Sequence, residues 1–108
     1  MSEKLIKIIK INNLQYNPQR DPQAYRRTAG EPFRLQAMIV SREIVRVTLS
    51  DEQGKTVAQH DLRGSGTFSH ELTFAEPGVR IVTLAAKEPG RSESHDLRLD
   101  VMAETWKG

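Results

Sequence analysis

Apolar residues recur at every second position along most of this chain. Phe33, Leu35, Ala37 and Ile39 share one parity, and Arg34, Gln36 and Met38 share the other. Val45, Val47 and Leu49 repeat the pattern after a short Ser41-Arg42-Glu43 turn. A period of two predicts strands with one face on a core and one in water. The clearest stretch is Phe74 to Met102. Arg80, Val82, Leu84 and Ala86 lie on one face of a strand, with Val79, Ile81, Thr83 and Ala85 on the other. Both faces are largely apolar, which suits a central strand. Leu97, Leu99 and Val101 then alternate with Asp96, Arg98 and Asp100, as in a half-buried strand. Glu88-Pro89-Gly90 joins these two strands and repeats the turn chemistry of Glu76-Pro77-Gly78, in which proline presets φ and glycine takes conformations other residues avoid.

The other segments fit the same plan. Leu5 to Leu14 is a first strand whose phase changes between Ile6/Ile8 and Ile9/Ile11. Either a bulge or a switch from one sheet to the other reconciles the two parities. Lys7 and Lys10 suit an edge, where charge discourages stray pairing. Residues 16–30 read YNPQRDPQAYRRTAG. Asp21-Pro22 resembles an N-cap followed by proline in the first turn, and Gly30 a stop. Gln23 to Thr28 is therefore expected to form a short helix or an ordered loop, anchored by Tyr25. Asp51-Glu52-Gln53-Gly54 predicts a tight hairpin with Gly54 in a left-handed conformation. Thr56 to Leu62 is polar enough for an edge strand. Gly64-Ser65-Gly66 breaks the chain before Phe68 to Phe74, where Phe68, His70, Leu72 and Phe74 share a face. Seven strand candidates without an intervening long helix predict an all-β antiparallel sandwich.

At 108 residues the natural expectation is one domain over residues 1–108. Hydrophobic content of 37% against 28% charged residues belongs to a folded chain. There is no cysteine, so disulfides and thiolate metal sites are excluded and packing must hold the fold. No apolar run reaches the roughly 18 residues of a membrane span, and Lys4, Lys7 and Lys10 interrupt any signal-peptide core. The expectation is a cytoplasmic protein, the alternative being an extracytoplasmic domain of a longer or co-exported protein. A net charge of +2 gives no support to nucleic-acid binding. Its distribution is uneven, since residues 1–30 hold six basic residues against two acidic ones.

Three pieces resemble the immunoglobulin-like (Ig-like) sandwiches in their bacterial and PKD-like form. They are Gly30 to Ala37, the hairpin around Asp51 to Gly54, and Thr73 to Gly78 running into Val82-Thr83-Leu84. They look like the second-strand opening, the middle hairpin and the penultimate strand of that superfamily. The resemblance covers about residues 30–102 and implies an Ig-like antiparallel β-sandwich of about seven strands, with the short helix or ordered loop between the first two. The cysteine pair and buried strand tryptophan of antibody domains are absent, and Arg80 stands where an aromatic is usual.

Catalytic chemistry finds no support. No nucleophile elbow is present, and consecutive Ser69-His70-Glu71 alternate faces on a strand, so they form no triad. His60, His70 and His95 fall on or near three different strand candidates and could assemble a metal site only if those strands neighbour one another. The plainer reading is two exposed histidines and a partly buried His70, and no metal is assigned. No cofactor is implied. Gly64-Ser65-Gly66 lacks the lysine and helix of a phosphate cradle. One tryptophan, Trp106, and two tyrosines are few for a sugar platform. The partner-binding residues singled out are Arg20, Tyr25, Arg26 and Arg27, residue types that dominate interface hot spots. The plainer reading makes this segment a lid, with Tyr25 packed and the arginines solvated. The function expected is a non-enzymatic protein–protein interaction module, using an edge strand and the basic 17–29 segment. Its partner is another protein or a second copy, not nucleic acid or membrane. The alternative is an accessory or carrier subunit of a bacterial enzyme complex, by architectural parallel with the cysteine-free Ig-like subunit of thiosulfate-carrier complexes.

Overall fold

A computed structural model describes residues 4–17, 19 and 25–103. Among them are nine strands: β1 (Ile6–Ile11), β2 (Leu14–Gln15), β3 (Arg27–Thr28), β4 (Pro32–Ile39), β5 (Ile44–Ser50), β6 (Thr56–Arg63), β7 (Gly66–Thr73), β8 (Gly78–Glu88) and β9 (Arg91–Met102). They form a four-stranded sheet in the order β2-β1-β4-β7 and a five-stranded sheet in the order β3-β9-β8-β5-β6. The fold is an Ig-like antiparallel β-sandwich, with β3 on β9 the single parallel pairing given by the register.

The period-two pattern places the core. Phe33, Leu35, Ala37 and Ile39 of β4 and Phe68 of β7 bury against Val45, Val47 and Leu49 of β5, Val82, Leu84 and Ala86 of β8, and Leu97, Leu99 and Val101 of β9. Strand β8 is central, between β5 and β9, as its two apolar faces predict. Strand β9 begins at Arg91, earlier than its apolar residues indicate. The polar stretch Arg91 to Asp96 pairs with β8 as far as Glu88–Arg91. Main-chain hydrogen bonding in the ladder carries the strand beyond its hydrophobic signal.

Two expectations need correction. The first strand does not run from Leu5 to Leu14. It ends at Ile11, where Asn12 (φ 54°) and Asn13 (φ 68°) reverse the chain into β2. Asparagine tolerates this left-handed region better than other non-glycine residues, and a two-residue turn with both central residues at positive φ matches the twist of a hairpin. The phase change is a bulge. The β1–β4 register shifts between Ile6 and Ile8, and β1 stays in one sheet. The second correction concerns the short helix. No α-helix occurs among the described residues, and Arg27–Thr28, the C-terminal part of the expected helix, is strand β3. Pairing with Val101 and Met102 offers those residues a complete ladder partner, whereas a two-turn helix is marginal alone. Gln23 and Ala24, the start of the expected helix, lie outside the described residues, as does Trp106. Gly54 takes the expected left-handed conformation at φ 81°.

Leu84 is 1% exposed at the centre of the core. Leu84→Ala should lower unfolding stability by about 2–5 kcal/mol, read as a reduced urea midpoint at unchanged slope.

Candidate interaction surface

Tyr25 fixes the described part of the basic segment to one end of the sandwich. Its ring is 1% exposed and belongs to the core. It lies against Tyr16, with centroids 5.4 Å apart at 41°. The Tyr25 hydroxyl donates to the Gln15 carbonyl and accepts from the Asn17 amide, both at 2.9 Å. A buried tyrosine with its hydroxyl satisfied is a strong anchor, because the ring gains from burial and the polar tip loses nothing. Asn12 completes the clasp. Its Nδ2 donates to the Tyr25 carbonyl at 2.9 Å and its Oδ1 accepts from the Arg34 amide at 2.9 Å. On the far side, the Ala29 amide donates to Met102 O and the Gly30 amide to Phe74 O.

This clasp sorts the four residues singled out from sequence. Tyr25 is internal, while Arg26 and Arg27 are exposed and follow it directly. Arg27 stands opposite Val101 in the β3–β9 pairing. Arg20 lies outside the described residues. The histidines separate. His60 on β6 and His70 on β7 belong to the edge strands on one side of the sandwich, whereas His95 belongs to β9 on the other. Among the described residues no group of three or more His, Asp or Glu is placed to hold a metal ion.

The side between β1 and β9 holds a feature that alternation did not single out. Glu93 reaches across the gap between sheets and accepts from the Leu5 amide at 3.0 Å, while its second oxygen lies 2.7 Å from His95 Nε2. Burial opposes ionisation of Glu93, but the His95 bond and the Leu5 and Ile6 amides outweigh it and hold the carboxyl below its ordinary range. Next to this latch runs a groove of about 310 Å³, bordered by Lys4, Lys7, Tyr16 and His95. At the same end of the sandwich, where the Val40 amide donates to the Leu5 carbonyl, the Ser41 hydroxyl, against some burial and with help from Arg91, lowers the Glu88 carboxyl in the same direction.

Arg80 occupies the inner face of β8 at the end nearest the clasp. Its guanidinium carbon lies 5.8 Å from the centroid of Phe74, which itself packs edge-on to Phe33. Nη1 is 3.8 Å from Glu52 and Nη2 donates weakly to the Glu76 carbonyl at 3.4 Å, leaving Nε buried without a partner. The stem thus fills the place of an aromatic while the head reaches the rim.

No protein-family model matches the chain, and no curated protein matches it in sequence. Among solved structures it is similar to the ASH / PapD-like domain of human CEP192 (PapD-like domain 7), with a TM-score of 0.53 and 12% identity, covering 99% of this chain and 92% of that one. At that identity the likeness is one of fold.

Tyr25→Phe keeps the ring and strands two main-chain groups, and should cost about 1–2 kcal/mol in denaturant unfolding. Glu93 predicts an acid dependence. Its folded pKa lies below the unfolded value, so its contribution is complete above the ordinary glutamate range and fades as pH falls through the lowered value. Unfolding measured from about pH 7 to about pH 3 should therefore show a shallower acid limb for Glu93→Gln than for the wild type. Parallel curves would remove Glu93 from the account.

Proposed function

We propose that the chain is a non-enzymatic protein–protein interaction module, a docking or structural subunit that uses an edge strand and the basic 17–29 segment. We also propose that it is one domain over residues 1–108, works in the cytoplasm, and stands nearest the bacterial and PKD-like Ig-like sandwiches. The observation that carries the functional reading is the Tyr25 clasp. It spends a fully buried aromatic on fixing the backbone directly before the exposed Arg26 and Arg27. Arginines on a fixed backbone lose less conformational freedom on binding than arginines on a loose loop, which favours a binding role over a solvated tail. Arg27 is the first residue of β3 and Arg26 precedes it, so pairing with Val101 holds the backbone at Arg27. A partner with carboxylates at matching positions gains orientation as well as charge attraction.

The test has two stages. Affinity capture from native lysate, with mass identification, supplies a partner. The double variant Arg26→Glu/Arg27→Glu is then compared with the wild type for affinity and thermal unfolding. Binding should weaken on the order of tenfold or more, while stability moves by about 0.5 kcal/mol or less. Unchanged affinity would exclude the segment as the contact.

A further inference from the structure

The free edges of the two sheets differ in how they are protected. Strand β1 is covered by β2 at Lys10 and Ile11, and its open part has the bulge, Lys7, and the Glu93 carboxylate on the Leu5 amide that leads into it. Strand β9 is partly covered by β3 and carries Glu93, His95, Asp96, Arg98 and Asp100. Strand β6 has a register shift where β5 reaches Ser50, and charges at Asp61 and Arg63. Strand β7 lacks such devices. It pairs with β4 through eight consecutive residues, Gly66–Ile39 to Thr73–Pro32, without a shift. Its sequence GTFSHELT contains no lysine, arginine or proline, and its single carboxylate is Glu71. Edges of this length and regularity ordinarily carry a block against pairing.

The phase of the ladder tells which groups are available. Arg34 directs its amide and carbonyl to Asn12, on the β1 side. Arg34 and Glu71 are therefore a non-hydrogen-bonded pair, and the main-chain groups of Glu71 point outward together with those of Thr67, Ser69 and Thr73. The side chains of Phe68, His70 and Leu72 face the interior, and Leu72 of β7 and Leu62 of β6 are only partly buried.

We propose that β7 is a self-association edge, on which a second copy of this chain pairs its own β7 antiparallel about a two-fold axis at His70. This rests on the interaction-module reading and names its edge strand and partner. Centring on His70 sets Thr67 opposite Thr73, Phe68 opposite Leu72 and Ser69 opposite Glu71 of the second copy. All four outward-pointing residues then fall on hydrogen-bonded positions, and interior side chains face interior side chains. Centring on Glu71 instead opposes two carboxylates, and centring on Ser69 runs Thr73 past the end of the facing strand. The charge pattern also selects a second copy of β7 over the other edges. The open part of β1 would bring Lys7 residues together, whereas β7 with β7 at this register opposes no carboxylates, lysines or arginines, and only the two His70 imidazoles face one another. Two four-stranded sheets become one of eight strands, with Leu62 and Leu72 at the covered seam. A single edge pairing buries less than about 1,200 Å², so the dimer belongs to the weak, reversible class.

Sedimentation equilibrium of the full chain, from about 1 µM to about 1 mM, tests this with three variants. Ser69 is exposed and faces Gln36 on β4, so a charge at this position is tolerated by the fold. Ser69→Lys places an ammonium against Glu71 of the second copy twice per interface and should tighten the dimer about tenfold. Ser69→Glu opposes carboxylates and should abolish it. Ser69→Glu/Glu71→Lys should restore it. Circular dichroism and thermal unfolding confirm that each variant is folded. A wild type that stays monomeric throughout, with Ser69→Lys also monomeric, overturns the proposal. So does a dimer whose constant none of the variants changes, since it would use another surface. Either result leaves the Arg26/Arg27 docking reading standing, because that is decided separately by partner capture. Loss of the Arg26/Arg27 effect leaves the dimer measurement unaffected.

Discussion

Contact between the two inner faces carries this molecule. A chain without cysteine has no covalent staple, so a four-stranded and a five-stranded sheet must hold each other by burying Phe33, Leu35, Val47, Leu84, Leu97 and their neighbours. Each buried side chain of that size contributes roughly 1.5–3 kcal/mol, and the sum has to exceed the entropy of ordering the strands. Packing alone does not close the sides of such a sandwich. Wherever the sheets stop facing one another, polar groups take over.

Those polar closures differ from place to place, and the differences organise the surface. Between β1 and β9, Glu93 spans the gap to the Leu5 amide and is itself held by His95. At the end near Phe33 and Phe74, Arg80 lays its stem on the core and turns its head to Glu52 and Glu76. The Tyr25 clasp seals the same end by joining the Asn12-Asn13 turn to β3. Between β6 and β7 the chain crosses from one sheet to the other through Gly64-Ser65. That side keeps a regular edge and half-covered leucines. The Tyr25 clasp and the regular β7 edge are two consequences of one architecture, in which the core is complete before the surface is.

How much of this was legible depends on the length scale of the signal. Alternation over five to eight residues found β4, β5, β8 and the apolar end of β9, and the Glu-Pro-Gly and Asp-Glu-Gln-Gly turns placed their ends. The Ile6/Ile8 phase change announced the bulge. Strands of two residues carry no periodicity, so β2 and β3 left no trace, and a capping-like Asp21-Pro22 suggested a helix that the described part of the segment does not form. Asn12-Asn13 was a readable signal of reversal, because adjacent asparagines accept positive φ. Tyr25 was legible as an anchor but not as a core residue hydrogen-bonded to Gln15 and Asn17.

The sequence by itself determined the fold class, the inward and outward face of each long strand, and the excess of basic charge in the first third. These follow from local periodicity and composition. The tertiary structure alone decided which strands became edges, which edge was left without protection, and which side chains closed the gaps between sheets. Glu93 and Leu5 are 88 positions apart, and Arg27 meets Val101 only because the chain folds back. Such pairings depend on the order of strands across a sheet, and alternation along one strand holds no information about its neighbour.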